Sequence, residues 1–208
     1  MKTPMRVLKF FFGILLFFSM SVSADAALLT FDDMVSGATS YAYDGDGDNI
    51  TDATFSTTDP FGCNTAGPGS NMSYIDEPGI EGTVTLAPDL RVDFAEGASG
   101  GLSFGFALSN GSDSVTFTVY DSNGNVLTQD TVTADYTRPD GTNPSSFPEA
   151  MVNVSFSGLA AYATFDFYNN SGRYIIDNFS GTFGSTEEVT AAPTATTNAA
   201  SSISTSGA

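Results

Sequence analysis

The chain has 208 residues, 24 of them Asp or Glu against 6 Lys or Arg, and its formal charge is −18. That balance excludes nucleic acids and anionic lipid surfaces as partners, because both are held through an excess of Lys and Arg. The chain has no His, so the commonest general base is missing, and no Gly-x-Ser-x-Gly elbow or phosphate loop marks a hydrolase or a nucleotide enzyme.

At the start of the chain, Lys2, Arg6 and Lys9 precede the apolar run Phe10–Phe18, which gives way to Ser19-Met20-Ser21-Val22-Ser23-Ala24. These are the basic, hydrophobic and small-residue regions of a secretory signal peptide, and the apolar run is shorter than the roughly 20 residues of a membrane span. Residues 1–24 are therefore expected to be removed on export, by cleavage after Ala24 or Ala26. What remains has three cations, Arg91, Arg138 and Arg173, against 24 acids, a formal charge near −21. Divalent cations are the natural partners of such a chain, although acidity alone also keeps an exported protein soluble, above all in salty surroundings that screen self-repulsion.

From Leu28 to about Phe183, short apolar-periodic runs alternate with Gly, Asn, Asp, Ser and Pro clusters, and no stretch keeps a helical period. The expected fold is all-β, an antiparallel two-sheet jelly-roll sandwich over residues 25–184, with about nine or ten strands. Its runs, in order, are Leu28–Phe31, Met72–Ile75, Thr83–Leu86, Leu90–Phe94, Leu102–Leu108, Val115–Val119, Val152–Phe156, Ala160–Phe167 and Arg173–Phe183. Asn123-Gly124, between strand-like residues, predicts a hairpin. The last two runs are expected to pair with each other across Tyr168–Gly172.

Between the first two runs lies Asp44-Gly45-Asp46-Gly47-Asp48-Asn49-Ile50-Thr51-Asp52. Calcium takes six to eight oxygen ligands in flexible geometry, and this ladder offers carboxylates at positions 1, 3, 5 and 9 with a backbone carbonyl at 7. It departs from an EF-hand, with Asn49 in place of Gly at position 6, Phe55 in place of Glu at position 12 and no flanking helices; Asn tolerates the left-handed backbone the turn needs. The nine residues resemble the Asp-x-Asp-x-Asp-Gly-x-x-Asp calcium loops of thrombospondin type 3 and dockerin-like repeats. Ca2+ bound by Asp44, Asp46, Asp48 and Asp52 is therefore expected.

Cys63 is the only cysteine, so no intramolecular disulfide staples the fold, and without His it lacks the usual partner of a cysteine nucleophile. It reads as a small, half-buried filler. Asp135–Glu149 is a long Pro-rich connection of the kind that is functional or disordered in compact domains. Its Tyr136, Arg138, Asp140 and Asn143 are the candidate ligand-binding residues, with Arg138 suited either to a polar or anionic ligand or to pairing with a nearby acid. Tyr41, Tyr43, Tyr74, Tyr136 and Tyr162 are candidate sugar platforms, or else edges packed on the sandwich with a wet hydroxyl. Residues 185–208, rich in Thr, Ala and Ser, read as a disordered tail.

Leu-Thr-Phe-Asp-Asp, Asp-Gly-Asp-Gly-Asp, Phe-Ser-Thr-Thr-Asp-Pro-Phe-Gly, Leu-Ser-Phe-Gly-Phe-Ala-Leu and Tyr-Ile-Ile-Asp-Asn-Phe-Ser-Gly-Thr-Phe-Gly together resemble bacterial exported proteins of the PEP-CTERM class with a galactose-binding-like jelly roll. The resemblance implies that the first and last strands are neighbours and that acids there, Asp32 or Asp33 with Asp177, hold a second, structural calcium. The Val-Pro-Glu-Pro sorting box of that class does not occur in this sequence, so surface anchoring by that route is not expected. The function these readings imply is a secreted, calcium-stabilised extracellular binding or matrix protein with polysaccharide as a candidate partner; the alternative is a secreted carbohydrate-active enzyme using paired carboxylates.

Overall fold

The computed structural model describes residues 26–45, 47, 49–59, 71–76, 78–84, 87–110, 113–141, 144–168 and 172–183. The signal-peptide, Cys63 and C-terminal-tail readings lie outside them, as do Asp46, Asp48 and Asn143. Nine strands are formed: β1 (Ala26–Leu29), β2 (Ser40–Tyr43), β3 (Ala53–Thr57), β4 (Ile80–Thr83), β5 (Leu90–Leu108), β6 (Ser114–Tyr120), β7 (Val126–Thr133), β8 (Glu149–Phe167) and β9 (Arg173–Phe183). Every pairing between them is antiparallel. The all-β jelly-roll sandwich expected from the alternating runs is the fold found.

Its two layers are parts of one hydrogen-bonded sheet folded over on itself. β5 and β8 each run for 19 residues, which at about 3.3 Å per residue is roughly 60 Å, far too long for one small layer. Both bend. In β5 the register jumps between Asp93 and Ala98 and again between Ser99 and Gly101, and Gly97 and Gly100 take φ of +89° and +76° there. Gly158 does the same for β8 at +95°. The first half of β5 and the second half of β8 thus lie in layer one, in the order β2-β3-β5-β8-β6-β7, and the other halves lie in layer two beside β9, whose far edge carries β1 and β4.

The alternating side chains meet between the layers. Phe55 of layer one lies edge-on to Phe179 of layer two at 5.1 Å, and Phe104 of layer two packs on Phe117 at 5.0 Å and Phe165 at 4.8 Å. These rings are buried, and each edge or offset contact adds about 0.5–1.5 kcal/mol beyond the area it removes from water. Phe55 at ladder position 12 is a core residue of β3, which is why that position has no ligand.

Three expectations are corrected. The runs 90–94 and 102–108 are one strand, as are 152–156 and 160–167, because glycine-borne bulges let a strand turn a corner without ending. The runs 160–167 and 173–183 do not pair: the first pairs β5 and β6 in layer one, while the second lies in layer two between β5 and the edge strands. Residues 72–75 are not a strand, and the strand expected at Thr83 begins earlier, at Ile80. The segment 71–76 is a strap lying across the outer face of layer two. Met72 and Ile75 pack there on Ala107 and Ile175, and a Cβ on Gly105 would sit 1.9 Å from the Tyr74 carbonyl oxygen.

Candidate functional site

The acidic ladder is the loop of a β2–β3 hairpin, two strands too short to stand out in the sequence. Asp44 leaves β2 and folds back, its Oδ1 accepting from the Gly47 N–H at 2.7 Å and its Oδ2 from the Asn49 N–H at 2.9 Å. Asp52, at the other mouth of the loop, accepts from the Gly45 N–H at 2.7 Å. Gly47 and Asn49 both take left-handed backbone, φ +77° and +70°, so Asn49 turns the chain where the related loops use Gly. The structure therefore brings Asp44 and Asp52 to one loop beside Tyr43, whose phenol is pushed up by burial first and then by the Asp52 and Asp44 carboxylates. Among the described residues, no three carboxylates or thiols come together as a metal-holding group.

The second acidic corner lies where β1 meets β9, first and last strands being neighbours as the family resemblance implied. Asp177, 1% exposed, accepts from the Asn178 N–H at 2.7 Å and the Asp76 N–H at 2.8 Å. Burial pushes its acid up to about 6; the two N–H donors oppose this, and the charges of Asp76 and Asp32 add to it. Asn178, at φ +54°, donates to the Tyr74 carbonyl at 3.3 Å. Asp32 accepts from the Thr30 hydroxyl at 2.8 Å, while Asp33 turns to the Tyr41 hydroxyl at 2.7 Å and, after burial, raises that phenol further. Asp32 and Asp177 thus share the corner and Asp33 serves Tyr41. Asp76, which sequence spacing did not single out, is the added member.

In the long connection, Tyr136 is exposed, and Arg138 donates to the Ser73 hydroxyl at 3.1 Å and the Asn71 side chain at 3.4 Å and lies 3.7 Å from Asp140. Arg138 holds the strap and pairs with an acid, which is the second of its two expected roles. Glu149, at the far end of the connection, was not singled out from sequence. It is buried, accepts from the Ser73 N–H at 2.9 Å, the Tyr74 N–H at 2.8 Å and the Ser145 hydroxyl, and so pins the strap from the β8 side as Asp177 pins it from the β9 side.

The outer face of layer one was also missed, apart from Tyr162. The register aligns Thr54, Asp93, Tyr162 and Tyr120 in one row and Ser56, Arg91, Thr164, Thr118 and Gln129 in the next. Arg91 and Asp93 form a forked ion pair, with Nε 2.9 Å from both carboxylate oxygens, and this bonding raises the guanidinium further. The guanidinium lies 3.8 Å from the centre of the Tyr162 ring, and Tyr120 stacks on Tyr162 at 4.7 Å and 13°. Thr116 and Thr131 share a hydroxyl hydrogen bond of 3.0 Å, and Gln129 donates to Thr118 at 2.8 Å. The strand alternation that buries Val92, Phe117, Val119, Ala163 and Phe165 on one side sends these groups to the other.

No family model matches the chain, and no curated protein matches it in sequence. Among solved structures, it is similar to a cleaved adhesin domain of the Lys-gingipain of Porphyromonas gingivalis W83, at 14% identity and a TM-score of 0.42, over 75% of this chain and 98% of that one. It is also similar to an arabinose-bound α-L-arabinofuranosidase, at 12% identity and 0.44, over 78% of this chain but 27% of the enzyme. A third is a variant of the family 29 carbohydrate-binding module CBM29-2, at 12% identity and 0.34, over 76% and 91% of the two chains. At these identities and TM-scores, none of the three bears on what this chain binds.

Proposed function

We propose that the protein is a secreted, calcium-stabilised extracellular binding or matrix protein of the bacterial PEP-CTERM-like kind, with glycan as its ligand class. The observation that carries the binding reading is the use made of the buried acids. Of the six buried acids among the described residues, five, Asp52, Asp59, Asp89, Glu149 and Asp177, each accept a main-chain N–H. Carboxylates engaged in this way fix loops to the sandwich, whereas a glycosidase needs two that face a substrate, one of them ready to give up a proton. The acids thus build a rigid scaffold, and rigidity is what a binding surface needs.

Calcium suits the same chemistry. The ladder offers only hard oxygen donors, and Gly47 and Asn49 supply left-handed turns in the segment between the anchored Asp44 and Asp52, the segment that carries Asp46 and Asp48 in sequence. Asp44, Asp46, Asp48 and Asp52 would hold the ion, and Asp32 with Asp177 would hold a weaker second one, where a cation would favour the ionised form of Asp177. The signal-peptide pattern supports the compartment, where calcium is plentiful. The test is a glycan array run beside a hydrolysis assay on the same sugars. Binding without turnover is expected; turnover of any bound glycan would replace this reading with the enzyme one.

A further inference from the structure

We propose that the open outer face of layer one is the ligand surface, that its recognition centre is Tyr120, Tyr162, Arg91 and Asp93, and that its ligand is a neutral, hydroxyl-rich polysaccharide. The placement rests on the glycan reading above and moves the site away from the Asp135–Glu149 connection, whose Arg138 is engaged in holding the strap.

Four features of the face argue for this ligand. The first is an aromatic platform held in place from behind: the Arg91 guanidinium of β5 lies over Tyr162 and Tyr120 of β6 stacks on it, β5 and β6 flanking β8 on opposite sides, and Tyr120 has no further ring or guanidinium contact among the described residues. A ring fixed in this way loses little freedom when the apolar face of a sugar stacks on it. The second is the forked Arg91–Asp93 pair beside the platform. It presents donors and acceptors in one plane, the pattern that adjacent sugar hydroxyls, each both donor and acceptor, can satisfy.

The third is charge. Arg91 is compensated by Asp93, so the face offers no uncompensated cation to an anionic polymer, which the acidic chain around it repels. A neutral polymer meets no such barrier. The fourth is extent. The row Thr54, Asp93, Tyr162 and Tyr120 crosses four strands, about 14 Å at 4.7–4.9 Å per strand, so it can follow linked sugar units rather than one. Hydroxyl and amide groups of Ser56, Thr164 and Gln129, in the next row, flank that track on regular strands, where geometry is held better than on loops.

The test is affinity electrophoresis of the chain through gels cast with hydroxyethylcellulose, galactomannan, laminarin or alginate. Retardation by at least one of the three neutral polymers and none by alginate is expected. Tyr120→Ala and Asp93→Ala should each weaken that retardation by about tenfold or more, Tyr162→Phe should keep most of it, and Tyr136→Ala and Arg138→Ala should bind as the unmodified chain does. Because the chain has no Trp, tyrosine emission is directly readable, and its change on adding the bound polymer should disappear in Tyr120→Ala. If Tyr120→Ala lowers the melting midpoint, Thr164→Arg, which only crowds the face, should abolish retardation at an unchanged midpoint. Full binding by the face variants with loss in Tyr136→Ala or Arg138→Ala would overturn the placement and leave the glycan reading standing. Retardation by alginate alone would overturn the charge argument, and retardation by none of the four polymers would end both proposals.

Discussion

The two outer faces of the sandwich share two strands, β5 and β8, yet one is covered and the other is open. On layer two, β5 presents Gly105 and Ala107, small enough for the strap 71–76 to lie directly on the backbone, with Glu149 and Asp177 taking its N–H groups on either side. On layer one, β5 presents Arg91 and Asp93, and the neighbouring strands add Tyr, Thr and Ser, groups that need no cover because they satisfy one another and water. Side-chain size and polarity at alternate positions therefore decide which face is architecture and which is surface.

The largest effect should come from releasing the strap. Glu149→Ala removes the acceptor of the part-buried Ser73 and Tyr74 N–H groups, two hydrogen bonds to a charged group, which should cost about 3–4 kcal/mol, read by chemical denaturation. Amide exchange should rise in 71–76 while β6 and β7 stay protected; uniform loosening of both layers would erase the distinction.

Next in size is the pH response of the Asp177 end. Its folded-state acid lies at about 6 against an ordinary value of 3.8, so the fold prefers it neutral. The stabilisation this brings is fully present below about pH 4 and is lost as pH rises through 6, on the order of 3 kcal/mol in all. Measured in chelator, the stability difference between the unmodified chain and Asp177→Asn should shift by that amount between pH 4 and pH 7, moving in favour of the variant as pH rises. A difference that is flat with pH would show that Asp177 is not strained by its burial.

The ladder should respond to metal by a slightly smaller amount. Calcium at a hundred-fold excess over Kd should add about 2.7 kcal/mol, seen as a higher melting midpoint, with magnesium a poor substitute. Asp46→Ala combined with Asp48→Ala should abolish the shift, and equal midpoints in calcium, magnesium and chelator for the unmodified chain would reduce the ladder to an acidic turn. The smallest effect belongs to the open face. Thr116→Val loses one exposed hydroxyl pair with Thr131 and should change stability by no more than about 0.5 kcal/mol.

How legible this was depended on whether the signal was local. The β6–β7 hairpin could be read because Asn123-Gly124 and Asp121 settle it within a few residues: the Asp121 carboxylate accepts from the Asn125 side-chain amide at 2.9 Å and from the Asn125 and Asn123 N–H groups at 2.8 Å, and that bonding lowers its acid. Two-residue alternation likewise exposed the core faces of β5, β6 and β8. The continuity of β5 through Glu96–Gly100 was not legible, because glycines that bend a strand look the same in sequence as glycines that end one. Residues 72–75 resembled a strand because a strap packed on a sheet is also partly apolar. Tyr162 could be named, but its stack with Tyr120 and its contact with Arg91 depend on strand registers that join residues 42 and 71 positions apart in sequence. The strap-holding roles of Glu149 and of Asp177, the latter named in sequence only as a metal ligand, were hidden in the same way, since their partners lie on a segment 75 and 101 residues away.

The shared strands also set how the molecule comes apart. Where two sheets are held only by side chains, one can melt or slide while the other persists. Here a shear between the layers is resisted by the peptide backbone of β5 and β8 at the bends around Gly97–Gly100 and Gly158. The central pairings of each layer are made by β5 or β8, strands that the other layer also uses, so neither layer can lose them alone. Unfolding should accordingly be a single cooperative event, and assembly, which must close both layers together through distant pairings, should be correspondingly slow.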